Sequence, residues 1–169
     1  KESITGYNED FNIFINKIIV KGTKKVSYIG SLTDWAWATD SGWTITSDYA
    51  YRIHPISGKR ELHTGIDISG TGAGSPIYAA NNGTVITAGW HYSYGNYVVI
   101  NHNNGYYTLY AHMAWLNTKE GATVGRGQVI GYMGSTGDST GVHLHLEVWV
   151  GGPPFSGTNV NPCKTIYWC

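Results

Sequence analysis

From Trp43 onward, apolar and polar residues alternate in short runs separated by glycine and asparagine. Successive side chains of a strand point to opposite faces, so such runs predict strands buried on one side. PIYAA (76–80) and TVITAGW (84–90) flank one NNG triplet, and YVVINH (97–102) and YYTLYAHM (106–113) flank another. Each triplet between alternating runs predicts a hairpin turn. TVGRGQVIGYMG (123–134) adds two short strands broken by glycine. No long helical period occurs between residues 43 and 150, so the pattern predicts a mostly β, antiparallel domain.

Residues 1–40 follow another pattern. Ile4, Tyr7, Phe11, Phe14, Ile15, Ile18 and Ile19 fall at the 3–4 spacing of a helix, with Asn8 placed to cap it and Gly22 to end it. The β-branched content argues back toward strand. The following DWAWATDSGW is turn-like and aromatic. The expected organisation is an N-terminal extension or linker over 1–40, a domain over 41–162 and a tail over 163–169. Cys163 and Cys169 in that tail suit either a small disulfide or two free thiols.

At 169 residues the chain suits one domain with some extra sequence at an end. Only 13% of residues are charged and the formal net charge is zero. No basic run is present to attract nucleic acid or an anionic membrane, and no apolar stretch is long enough for membrane insertion. Lys1–Asp10 lacks the apolar core and cleavage site of a secretory signal. Abundant glycine (23), tyrosine (13) and tryptophan (7) reinforce strands and tight turns. Each aromatic ring is expected first as a core or cross-strand partner, with sugar or peptide binding as the alternative.

The chemistry begins at GVHLHLEV (141–148). On a strand, His143, His145 and Glu147 share one face, with Val142, Leu144, Leu146 and Val148 on the other. Two imidazoles so placed can converge on one centre; the plain alternative is a pair of partly exposed histidines. His63-Thr64-Gly65-Ile66-Asp67 is an H-x3-D. Along a regular strand its ends would lie about 13 Å apart, too far to share a metal. Thr64, Gly65 and Ile66 make a poor helix. A bend near Gly65 is the remaining way to bring His63 and Asp67 together. Strand alternation puts Tyr106, Thr108, Tyr110 and His112 on one face, where a solvent-facing histidine is the plain reading. A catalytic zinc takes three protein ligands and leaves a position for water, and these segments supply four histidines and an aspartate.

Several ordered motifs resemble those of lysostaphin/LytM-type zinc endopeptidases, which cut peptide bonds in bacterial peptidoglycan. They are YRIHP at 51–55, HTGID at 63–67, PIYAA…GTV at 76–85, YGNYVVINH at 94–102, LYAHM at 109–113, GQVIGYMGSTG at 127–137 and HLHLE at 143–147. The resemblance covers Gly42 to Pro162. It implies an antiparallel β-sheet with a narrow groove walled by loops, and one Zn2+ held by His63, Asp67 and His145. It implies that His112 and His143 flank the attacking water and the scissile carbonyl. It places Arg52, His54, Asn96 and Tyr110 at the groove, with Arg52 and His54 orienting substrate or stabilising the oxyanion. Glu147 becomes either an outer acceptor for an imidazole N–H or a plain exposed glutamate.

The loops Ser57–Leu62, Trp90–Gly95 and Gly134–Gly141 are the expected determinants of specificity. His91 and His102 receive no role. The implied setting is extracellular or in the cell wall, as a monomer. Residues 1–40 would either cover the groove, with an asparagine such as Asn12 near the metal, or join an upstream lytic domain, as in a phage or mobile-element lysin. The rival readings are a non-catalytic wall-binding or regulatory module of the same fold, and a different zinc amidase or carboxypeptidase.

Overall fold

The computed structural model describes residues 34–54, 56–167 and 169. The helical expectation within residues 4–19 lies outside the described residues. The strands are β1 (Thr44–Ser47), β2 (Tyr51–Ile53), β3 (Arg60–Leu62), β4 (Ile66–Ser69), β5 (Pro76–Tyr78) and β6 (Gly83–His91). They continue as β7 (Gly95–Asn101), β8 (Tyr106–Leu116), β9 (Thr123–Val124), β10 (Val129–Met133), β11 (Leu144–Val150) and β12 (Thr158–Val160). One short helix, α1 (Pro162–Thr165), follows.

Ten strands form one antiparallel sheet along the path β1-β4-β11-β8-β7-β6-β9, with β12 on β11 and β10 bridging β8 to β5. The β2–β3 hairpin stands apart as its own sheet. The second NNG makes the expected hairpin: β7 pairs with β8, and Asn103 and Gly105 take the positive φ the turn requires. The first does not. β5 pairs with β10 and β6 with β7 and β9, so residues 81–83 turn a corner between two pairings. Asn82 is committed there, its Oδ1 accepting from Arg126 N–H and its carbonyl facing His102 Nδ1 at 2.8 Å.

The core gathers the inward residues of these strands, including Ile66, Ile68, Ile77, Ile100, Tyr110, Met113, Leu144, Leu146 and Val148. Full burial of such side chains stabilises by roughly 1.5–3 kcal/mol each. Packing continues beyond residues 41 and 162 at both ends. Residues 34–40 are part of the packing: Ala38 is fully buried, Ala36 N–H donates to the Ala80 carbonyl, and Thr39 bridges to Ile77. Past residue 162, Asn161 caps α1 through its side chain, Ile166 and Tyr167 are buried, and Tyr167 O–H donates to the Ala36 carbonyl at 2.7 Å. Cys163 and Cys169 are joined as a disulfide. No helix among the described residues is long and apolar enough to cross a membrane.

The partner of β8 changes along its length. Tyr106–Ala111 lie beside β11, and Met113–Leu116 lie beside β10. The Gly134–His143 loop leaves the sheet at this exchange, closed at its base by a bridge between those two residues.

Candidate metal centre and active site

His63, Asp67 and His145 are buried together, on neighbouring strands β4 and β11 and the turn before β4. The bend expected near Gly65 is present. His63 Nε2 and Asp67 Oδ1 are 3.1 Å apart. Gly65 is required there, because a Cβ would lie 2.9 Å from the His145 ring and overlap the Leu146 carbonyl. His145 faces Asp67 across the β4–β11 pair, its Nδ1 2.9 Å from Asp67 Oδ1 and 3.0 Å from His63 Nε2.

Each of these three side chains has a dedicated outer partner. His63 Nδ1 donates to the Asp48 carbonyl (2.8 Å), and Asp67 Oδ2 accepts from Arg52 (3.3 Å). His145 Nε2 donates to Glu147 Oε1 (3.1 Å). A carbonyl or ionised carboxylate only accepts, so the outward nitrogens carry the protons. His63 Nε2, His145 Nδ1 and Asp67 Oδ1 then point lone pairs into one small volume, an arrangement that calls for a cation or a shared proton. The titration of His145 shows the same demand. Burial opposes its charge, yet the carboxylates of Asp67 and Glu147 outweigh that and push it up to about 9. Burial likewise works against ionised Asp67, but hydrogen bonds from His145 and His63 hold its carboxyl well below the usual range. Two imidazoles and one carboxylate, each oriented from behind, fit a divalent metal with an open position.

Glu147 is fully buried, which excludes the exposed alternative. Its Oε1 accepts from Thr64 (2.6 Å) and Tyr94 (2.9 Å) besides His145, and its Oε2 accepts from Trp149 Nε1 (2.7 Å). Burial disfavours its charge, but His145, Thr64 and Trp149 outweigh it and lower its pKa. Thr64, Tyr94 and Trp149 were not singled out in the sequence. Trp149 was legible, since it follows Glu147 by two residues on the same strand face.

His143 and His112 form the rim, their rings 4.6 Å apart. His143 Nδ1 donates to the Gly141 carbonyl (2.8 Å) and its Nε2 lies 3.6 Å from Asp67 Oδ1. His112 Nδ1 donates to the Thr136 carbonyl (2.8 Å). In the neutral form of each ring the lone pair is therefore on Nε2. Burial lowers the pKa of His112 to about 4, so this ring is neutral at pH 7.

Alternation along β8 does not place His112 here. Ala111 is opposite His145 and Leu109 opposite Glu147, so these share the site face, while Tyr110 and Thr108 point into the other side. His112 reaches the site face through a bulge. Between Val98↔Tyr110 and Asn96↔Met113, β7 has one residue and β8 has two, Ala111 and His112. His112 takes φ +62°, which re-aims its ring beside His145. This overturns the shared face of Tyr110 and His112, and with it Tyr110 as a groove residue. Tyr110 is a fully buried core residue whose hydroxyl accepts from Ala80 N–H. Asn96 is also not at the groove: its amide donates to the Met113 and Ala114 carbonyls.

The groove crosses the metal centre. One depression holds His112, His145 and Tyr94 between the β2–β3 hairpin (Glu61, Leu62), the β6–β7 turn (Ser93) and Asp138–Thr140. A second lies beyond, lined by Thr46, Ser69 and Val142. The two share Arg52, Asp67, Thr140 and His143. Residues from each of the three loops expected to set specificity line these depressions. His54 stands at its mouth, its Nδ1 accepting from Ile56 and Ser57 N–H and its Nε2 3.4 Å from Glu61. Arg52 also contacts Ser47 Oγ at 2.5 Å.

Residues 61–162 match the model of peptidase family M23. The chain belongs to this family. Among curated relatives of this M23 domain, the DD-carboxypeptidase/endopeptidase Mpg of Neisseria meningitidis serogroup B is 45% identical over 116 residues, 69% of this chain and 26% of Mpg. The chain thus spans about a quarter of that relative's length. A zinc-containing peptidase from Vibrio cholerae superposes with TM-score 0.68 at 38% identity, covering 78% of this chain and 39% of that one. The catalytic domain of lysostaphin from Staphylococcus simulans superposes with TM-score 0.66 at 32% identity, covering 73% and 92%. The family, the zinc-containing neighbour and the donor set agree on zinc as the cofactor of this M23 domain.

Proposed function

We propose that this M23 domain is a zinc-dependent DD-endopeptidase that hydrolyses peptide cross-links of bacterial peptidoglycan, next to D-alanine, at the cell wall. The observation that carries the reading is the groove that runs past both sides of the His63–Asp67–His145 cluster, with His112 and His143 at its rim. A groove that extends to both sides of the cluster can take an extended peptide through it, as an endopeptidase requires. The name of the Mpg relative, a DD-carboxypeptidase/endopeptidase, supports a bond between D-residues over glycine bridges.

His63 Nε2, Asp67 and His145 Nδ1 would hold the zinc. When bound, zinc polarises the scissile carbonyl and makes water a nucleophile at neutral pH. His112 and His143 each offer an unprotonated Nε2 to the reacting atoms. As a pair they take the proton from the attacking water and deliver one to the leaving amine. Arg52 neutralises the outer oxygen of Asp67, and Glu147 fixes the His145 tautomer; both hold the ligand geometry through the turnover. The loops around Glu61, Ser93 and Asp138–Thr140 select the peptide.

Mass spectrometry of fragments released from purified sacculi tests this, with His143→Ala as control. Sacculi with direct cross-links and sacculi with pentaglycine bridges are compared. New D-alanine C-termini in the directly cross-linked sacculi, absent from the control, are expected. New glycine C-termini, released only from the pentaglycine sacculi, would replace this substrate by a glycyl-glycine bridge. No zinc-dependent release from either would refute the enzyme and favour a wall-binding module.

A further inference from the structure

We propose that Thr136 is a positioning residue for His112: its hydroxyl fixes the peptide group whose carbonyl takes the His112 Nδ1 proton. The Nε2 lone pair is thereby kept toward the metal centre. The inference rests on the proton-transfer role proposed above for His112.

His112 is a non-glycine residue at φ +62° on a bulge, a strained conformation that persists only where the surroundings over-determine it. Two hydrogen bonds hold it. Its N–H donates to the Tyr94 carbonyl, and its Nδ1–H donates to the Thr136 carbonyl, both at 2.8 Å. The second bond sets the tautomer, because a carbonyl cannot donate. Thr136 lies in the loop after β10, so its carbonyl is a fixed acceptor only if that loop is tied to the strand that carries the ring.

The Thr136 hydroxyl makes that tie. It donates to the carbonyl of Met113, the residue after His112, at 2.7 Å, and accepts from Asn96 N–H on β7 at 3.0 Å. The Asn96 amide reinforces the same stretch through Met113 and Ala114. Two glycines allow the contact. A Cβ on Gly95 (φ +64°) would overlap the Thr136 peptide, and one on Gly137 (φ +74°) would overlap the Ser93 carbonyl and Gly95 N. The Tyr94 turn and the Thr136 loop thus meet backbone to backbone, and His112 is bonded to both.

Valine at position 136 keeps the side-chain shape but leaves Asn96 N–H unpaired and Met113 one donor short. The loop carbonyl is then free to shift, and the ring can take the opposite tautomer, with an N–H where the lone pair belongs. Serine keeps the hydroxyl.

The test uses the zinc-loaded full chain as wild type, Thr136→Val and Thr136→Ser. Long-range 1H–15N spectra of the histidine rings read the tautomer directly. The wild type and Thr136→Ser should show His112 protonated on Nδ1, and Thr136→Val a mixture. On a cross-linked muropeptide, Thr136→Val should lose about 10–100-fold in kcat, as outer-partner changes do, with KM and bound zinc unchanged. Thr136→Ser should restore kcat. A wild-type tautomer and kcat in Thr136→Val would overturn the inference. So would a Thr136→Ser protein as impaired as Thr136→Val, since methyl packing would then be the cause. A wild-type protein that cleaves nothing would refute the proposed function on its own, and the tautomer comparison would still decide for or against Thr136.

Discussion

His145 and His112 lie with ring centroids 6.0 Å apart, and the chain brings them there by different means. His145 sits on regular strand β11 in register with Asp67, and its outer partner Glu147 follows two residues later on the same face. His112 sits where β8 breaks register, and its partner is a loop carbonyl 24 residues further along the chain. In the ligand floor, Asp67 and His145 are therefore placed by strand pairing, and His63 is brought in by the Gly65 bend. His112 on the rim is placed by a bulge clamped between two loops. A floor made of paired strands suits a metal, whose ligands must converge within a few tenths of an ångström. A rim made from loops can change with the substrate while the floor stays fixed.

Changes at the rim should leave the floor intact. His143→Ala is expected to keep one zinc and lose about 10²–10⁴-fold in kcat, the usual worth of a proton-transfer group; metal analysis beside steady-state kinetics checks both halves. Wild-type turnover would remove His143 from the reaction.

A change behind the floor should do the reverse. Glu147→Gln is expected to weaken zinc binding by about 10–100-fold, measured by competition with a chelator, because an amide cannot accept from His145, Thr64, Tyr94 and Trp149 as a carboxylate does. Unaltered affinity would show that the strand alone orients His145.

Gly65→Ala tests whether the bend that joins His63 to Asp67 is as tight as its contacts indicate. A new Cβ against the Leu146 carbonyl and the His145 ring should cost about 1–3 kcal/mol in chemical denaturation. A cost below the error of the measurement would mean that the bend relaxes freely.

The smallest expected effect is on pH. The pKa of His145 in the metal-free fold is raised from 6.5 to about 9 by its two carboxylates, against the cost of burial. Its contribution to metal-free stability is complete below pH 6.5 and is lost as pH rises through 9. In the zinc-loaded protein that proton is absent, so the gap in Tm between the two forms should widen from pH 6.5 to 9. A gap that narrows would contradict the assignment of His145 Nδ1 to the metal.

The same contrast explains what the sequence made legible. Period-two spacing was enough to put His143, His145 and Glu147 together, and glycine at 65 between two poor helix formers pointed to a bend. The alternation that served for β11 misled on β8. It put Tyr110 on the same face as His112, because an extra residue in one strand leaves no mark in the local pattern. The resemblance put Asn96 at the groove, although its amide is spent on the Met113 and Ala114 carbonyls of β8. The first NNG looked like a hairpin because turn chemistry reports that the chain reverses, and pairing partners are decided elsewhere in the sheet. Residues 34–40 and 163–167 looked peripheral because their packing depends on contacts far along the chain, such as Tyr167 with Ala36.

The division between floor and rim is tested most directly by counting zinc in His145→Ala and His112→Ala by native mass spectrometry, alongside release of muropeptides. The account predicts no retained zinc in His145→Ala, one zinc in His112→Ala and turnover in neither. Zinc retained by His145→Ala, or lost from His112→Ala, would contradict it.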